Sequence, residues 1–297
     1  MSGLENIEFI EFDKRGGWAA VRHLRMQLRD RRFDVLLHMQ VAARANLLSK
    51  LIRAPIRIGW DSARSRDMHR HFVREQIKAV PFQHQVQGFL EFARALGVEV
   101  QEPIWNLPIA AEARTWAADQ LGQDGRVLLI SPCSSHRARN WNAIAYAEVA
   151  DVACRDMGLR IVLAGGPSSL EKETATAIEE RMSEPCHNLV GKDTLEQSKA
   201  LLSLASVVIS PDSGPAHIAS ALGTPVIGLY AATWSKRSGP YNSLSLCVDR
   251  FEEAALKYRG KSASELRWGS RIEEPGVMDL IQPEDVIERL HAWRNSC

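Results

Sequence analysis

No stretch of the 297-residue sequence approaches the roughly 20 consecutive apolar residues needed to span a bilayer. Its opening, MSGLENIEFIEFDKRGG, has neither the cationic start nor the apolar core of a secretory signal. Cysteine is sparse: Cys133, Cys154, Cys186, Cys247 and Cys297 are odd in number, scattered and without a CxxC pair. That pattern argues against a disulfide framework or a zinc site and suits a reducing cytoplasm. The nucleotide signatures GxGxxG and GxxxxGK[ST] are missing, as is the GxSxG turn of serine hydrolases. His69 and His71 have no carboxylate or cysteine at metal-ligand spacing, so no metal is expected there.

What is present is an ordinary globular composition, 45% hydrophobic and 25% charged. The net charge of +1 conceals an asymmetry. Residues 1–100 carry 17 Lys/Arg against 11 Asp/Glu, a net +6, while the rest carries 20 against 25, a net −5. A basic first third can be a solvated arginine-rich face, or it can favour an acidic partner such as phosphorylated lipid at a membrane surface. Nothing in the pattern calls for a nucleic-acid partner.

Short apolar runs alternate with amphipathic stretches from Val127 onward. RVLLIS, LRIVLAG, HNLVG, SVVIS and TPVIGLY read as strands, and the segments between them as helices of 10–15 residues. This alternation predicts an α/β parallel sheet with helices on both faces. The first 100 residues repeat the grammar with NIEFIEF, FDVLLHM and PIRIGW as strands and WAAVRHLRMQLRD and FQHQVQGFLEFARALG as helices. Two prolines and no sustained period over about 100–120 suggest a linker. The expectation is two Rossmann-like domains facing a cleft: residues 1–115, residues 116–280, and a C-terminal helix at 281–297 packing back on the first domain.

Two polar turns fall at strand ends, where ligands of an open parallel sheet collect. PDSG (Pro211–Gly214) precedes the helical GPAHIASALG, with Pro215 suited to the first turn. The free amides of that turn make a ready phosphate site. Ser213 could add a hydroxyl, and Asp212 could accept from sugar hydroxyls; alternatively both simply cap the helix, with His217 a satisfied core histidine. The second turn, SPCSSHRARNW (Ser131–Trp141), offers Ser134, Ser135, His136, Arg137 and Arg139. Serines with a fixed cation opposite a helix N-terminus can clamp a diphosphate.

With these residues in view, PDSGPAHIASALGTPVIGLYAATWSKRSGPY resembles the signature of the ADP-heptose:lipopolysaccharide heptosyltransferases, glycosyltransferase family 9. LLISPCSSHRARNW is similar to that family's diphosphate loop, and RIGWDSARSR to an element of its acceptor half. The resemblance implies a GT-B fold and inverting, metal-independent transfer without a cofactor, from a nucleotide-sugar donor bound in the C-terminal domain. By position it makes Arg139 and Asp212 catalytic, with Arg139 standing where the family usually has lysine. Ser134, Ser135, Asp212, Ser213, Gly214 and His217 fall at the donor's phosphates and sugar, and Asn188, Lys192, Asp193 and Thr194 at its adenosine. Lys14, Arg15 and Arg64 match basic residues that meet an anionic lipopolysaccharide precursor, which implies a cytoplasmic protein with peripheral contact at the inner membrane.

The family also opens with a strand and a Gly-Asp loop bearing the presumed base, and no Gly-Asp pair occurs in the N-terminal half here. The resemblance therefore leads one to expect an incomplete N-terminal domain, short by about 40–60 residues on the length of a strand–helix–strand unit. Two other readings follow: a catalytically silent donor-binding remnant, or a different nucleotide-sugar enzyme of similar fold, such as an epimerase.

Overall fold

A computed structural model describes residues 6–122 and 125–296. The chain divides into two compact units, one ending at Ile104 and the other beginning at Trp105.

In the first unit, α1 (Gly17–Leu28) leads into β1 (Val35–His38), α2 (Ala43–Ser49), β2 (Ile56–Gly59), β3 (Glu75–Gln76) and α3 (Gln85–Arg94). The strands form a parallel sheet in the order β1-β2-β3. Ile58, Trp60, Ile77 and Phe92 make its small core, with Phe92 edge-on to Trp60 at 5.1 Å. His69 lies fully buried beneath Gly59, where a Cβ would collide with the imidazole and with Val73. Its Nδ1 pairs with Asn46 Oδ1 at 2.8 Å and its Nε2 accepts from the Trp60 amide at 3.2 Å. His69 is thus a structural pin, and its neighbour His38 packs on it with ring centroids 4.6 Å apart. The expected strand NIEFIEF does not form: residues 6–12 join no ladder, and Ile7 and Phe9 are exposed. Alternation alone does not make a strand without a neighbour to bond.

The second unit is the larger. It opens with α4 (Ala111–Leu121), then β4 (Val127–Ile130), α5 (Ala143–Met157), β5 (Arg160–Leu163), α6 (Ser169–Glu179), β6 (Cys186–Asn188) and α7 (Leu195–Leu204). It continues through β7 (Val207–Pro211), α8 (Gly214–Ala221), β8 (Val226–Tyr230), α9 (Ser235–Ser238), β9 (Val248–Asp249), α10 (Phe251–Arg259) and α11 (Pro283–Asn295). Six parallel strands run in the order β6-β5-β4-β7-β8-β9. β4, β7 and β8 are buried along their whole length, as apolar strands covered on both faces must be. Side chains alternate: Leu128, Ile130 and Ile209 point into one core with Tyr146 and Val149 of α5, whereas Leu129 and Val208 point into the other with Ala117 of α4 and Leu201 of α7.

Two expected boundaries move. The break falls at 104/105 rather than 115/116, because the segment before α4 is tied to α7: buried Lys199 donates to the Pro108 carbonyl at 2.7 Å. The stretch expected to be a linker therefore contains a helix of the second unit. The C-terminal helix belongs to that unit too. Val286, Leu290 and Trp293 of α11 enter the core beside α5, and Arg250 bonds Asp285 at 2.5 Å. The four described cysteines are free, and Cys297 lies outside the described residues. Among the described residues, no helix is long and apolar enough to cross a membrane.

Candidate functional site

Adjacent strands β4 and β7 end side by side, so the two polar turns that follow them meet at the carboxyl edge of the sheet. They line one cavity of about 710 Å³ together with Ser168, Leu170 and Glu171. Ser134, Ser135, Arg139, Asp212, Ser213, Gly214 and His217 all contribute to its wall.

Ser213 occupies the N-cap of α8, yet its side chain makes no capping bond. The bland capping role is therefore not the one it plays. Its hydroxyl lies 2.7 Å from Ser210 Oγ, and Ser210 Oγ in turn donates to the Ser131 carbonyl at 2.9 Å. Since Ser210 spends its single proton on Ser131, Ser213 is the donor between the two hydroxyls. The first amides of α8 are left without side-chain partners at the positive end of the helix. Gly214 sits there with open space where a Cβ would be, so no protein atom demands a glycine. What the missing side chain preserves is access to the cavity.

The opposite turn is held rigid. The Ser134 amide donates to Asn140 Oδ1 at 2.7 Å, and Ser134 Oγ caps the His136 amide at 3.2 Å. Trp141 anchors the end of the turn through its indole N–H to the Ile281 carbonyl at 3.0 Å. Ser135 and His136 are exposed.

Arg139 is buried between two carboxylates. Its Nη1 lies 3.4 Å from Asp212 Oδ2, while Nε and Nη2 reach Glu273 Oε1 at 3.1 and 2.9 Å. Burial pushes the Asp212 carboxyl up, but His217, whose Nε2 lies 3.7 Å from Asp212 Oδ1, together with Thr233 and the Arg139 charge, outweighs it, leaving Asp212 below the usual carboxylate range. Glu273 is lowered chiefly by its hydrogen bond from Arg139. Both carboxylates are thus ionised at neutral pH around one guanidinium. Glu273 and Thr233 were not singled out from the sequence; Glu273 lies 134 residues from Arg139 and carries no local signal.

The remaining expected residues lie elsewhere. Asn188, Lys192, Asp193 and Thr194 stand at the end of β6 and the start of α7, outside the cavity. Asn188 bonds Glu179 at 2.9 Å, Lys192 donates to the Asn188 carbonyl at 2.6 Å, and Thr194 caps α7 in a capping box with Gln197. Asp193 is half-buried with its Oδ2 unpartnered, and burial raises its carboxyl. Three strand spacings separate β6 from β7, about 14 Å. In the first unit Lys14 and Arg15 are exposed just before α1. Arg64 is not: it pairs with Asp61, donates to Gln83 Oε1 at 3.0 Å and the Lys78 carbonyl at 2.9 Å, and stacks on Trp60.

This arrangement of a helix N-terminus, a hydroxyl-rich turn and a fixed arginine coincides with a family match. The pattern of Glycosyltransferase family 9 (heptosyltransferase) covers residues 21–268. The chain belongs to glycosyltransferase family 9. It is therefore a glycosyltransferase enzyme of the heptosyltransferase family. The lipopolysaccharide core heptosyltransferase OpsX of Haemophilus influenzae is 40% identical over 294 residues, 98% of this chain and 83% of that protein. Among solved structures, a family 9 glycosyltransferase from Veillonella parvula superposes with a TM-score of 0.76 at 21% identity, over 97% of this chain and 82% of that one. The E. coli ADP-heptose lps heptosyltransferase II does so with 0.64 at 19%, over 94% and 81%. These two likenesses bear out the expected Rossmann-like α/β fold class.

Proposed function

We propose that the chain transfers heptose from ADP-heptose to the inner core of a lipopolysaccharide precursor, working at the cytoplasmic face of the inner membrane. The observation that carries this reading is the shared cavity of the second unit, where the α8 amides, Ser134, Ser135 and Arg139 converge on space for a diphosphate. The names of the relatives supply the sugar and the acceptor class. The acceptor oxygen forms its bond to the anomeric carbon as the bond from that carbon to the diphosphate breaks, inverting the centre. The electron pair leaves on the diphosphate, and the acceptor's proton is released. Arg139 and the amides take up the departing negative charge. Ionised Asp212 faces the sugar, where it steadies the positive charge that grows at the anomeric carbon. Charge neutralisation in this scheme comes from protein groups and requires no metal.

Asn188, Lys192, Asp193 and Thr194 are proposed to receive the adenosine, since about 14 Å between strand ends suits a nucleoside beyond a diphosphate. Lys14 and Arg15 are proposed to meet the anionic acceptor, with Arg64 acting by bracing the turn at Trp60. Calorimetry with ADP, UDP and GDP, followed by transfer assays of Arg139→Ala and Asp212→Ala, tests the reading. ADP is expected to bind best, and each substitution to cost about a hundredfold or more in kcat. Equal binding of the three nucleotides, or near-normal turnover in either variant, would sink it.

A further inference from the structure

The amino-end edge of the first unit's sheet carries a charge cluster that the donor site does not use. Arg22 and Arg25 of α1, Arg29 at its C-cap, and Lys50 and Arg53 after α2 surround one depression of about 650 Å³, with Met26, Leu28 and Leu51 as its remaining walls. No carboxylate lines it. Among the described residues, none of the five cations has a side-chain hydrogen bond or ion pair, though Lys50 lies over the Phe72 ring. Five like charges held together without counter-charge repel one another, and an anionic partner relieves that cost.

The spacing along α1 adds a second observation. Residues 18, 22, 25 and 29 follow helical spacing, so Trp18, Arg22, Arg25 and Arg29 form one stripe. Trp18 is 87% exposed and Met26 beside the stripe 64%. A large amphipathic ring and a thioether left in water next to unpaired arginines match the headgroup region of a bilayer, where rings and aliphatic stems sink while charges meet phosphate. Ligands of a parallel sheet collect at its carboxyl edge. The depression instead adjoins the turns entering β1 and β2, at the other edge.

We infer that the Trp18–Arg22–Arg25–Arg29 face of α1, with Lys50 and Arg53, docks the protein on an anionic phospholipid surface. This deepens the proposed function, in which the acceptor is lipid-borne, but uses none of the donor-site residues. Flotation of the full chain with vesicles of phosphatidylglycerol in phosphatidylcholine, against phosphatidylcholine alone, tests it. Binding to the anionic vesicles, weakened by salt and accompanied by a blue shift that Trp18→Ala removes, is expected. Combined Arg22→Gln, Arg25→Gln and Arg29→Gln should weaken it about a hundredfold, and Lys50→Gln with Arg53→Gln about 25-fold. The Lys50 and Arg53 pair after α2 decides the matter should the triple variant lose its circular dichroism. No flotation of the wild type, equal binding to neutral vesicles, or wild-type binding by the substituted chains would overturn the inference. ADP affinity, measured on the same proteins, stays unchanged in every variant, so failure here and failure of the donor reading are told apart.

Discussion

Replacing Gly214 by alanine separates a structural glycine from a functional one. An added Cβ would meet no protein atom within 4 Å, and the residue's φ is outside the left-handed region. The folded state therefore accepts the methyl group, while the unfolded chain loses freedom, so stability should hold or rise by up to about 1 kcal/mol. The same methyl projects into the cavity at the first amides of α8, where the proposed phosphate sits. Displacing that phosphate forfeits at least one charge-assisted hydrogen bond worth about 1.5–3 kcal/mol, which corresponds to a Kd for ADP raised by about 10- to 100-fold. Urea titration and ADP calorimetry on one preparation read both quantities. An unchanged Kd would show that no ligand approaches Gly214, and a stability loss matching the affinity loss would show that the glycine serves the fold.

Glu273 accepts from two N–H groups of the Arg139 guanidinium through one oxygen and should act by positioning it. Glu273→Ala is expected to lower kcat/KM about tenfold, the low end for a partly exposed charged pair, and Glu273→Gln to restore most of it because a carbonyl oxygen still accepts; equal losses in both variants would point to charge rather than placement. His38 titrates in the first unit. Burial, then the neighbouring His69 charge, pushes it from 6.5 to about 4, so its contribution is present above pH 6.5 and lost as pH falls toward 4. Stability should drop by about 3 kcal/mol over that window, and His38→Phe should remove this part of the slope in urea titrations at each pH.

The second unit was legible because its central strands are short, mostly apolar and punctuated by glycine and proline, as in LRIVLAGG and TPVIGLY. Its site was legible where chemistry is local: Asp212, Ser213 and Gly214 are consecutive, and Ser134 to Arg139 fill one turn. Contacts made across the chain were not. Glu273 reaches Arg139 from a loop after α10, and nothing in RIEEPG marks it. Two-residue β9 is too short to leave a pattern, and α4 hid in a stretch whose prolines read as a linker. The strand expected at 6–12 failed for the opposite reason, since its alternation was present and its pairing partner was not. Arg64 shows a further limit: a basic residue in a matching motif is already engaged by Asp61, Gln83 and Lys78.

The hydrogen-bond chain from Ser213 through Ser210 to the Ser131 carbonyl joins the turn after β7 to the strand end of β4, and Ser210 is wholly buried. The two jaws of the proposed diphosphate clamp are therefore one piece. Neither can shift to suit a different leaving group without dragging the other, and binding spends little on ordering them. Among the described residues, the proposed nucleoside end, three strands away, has no such tether to this clamp. On this proposal, changes in which base the protein accepts can accumulate there while the phosphate grip is inherited whole.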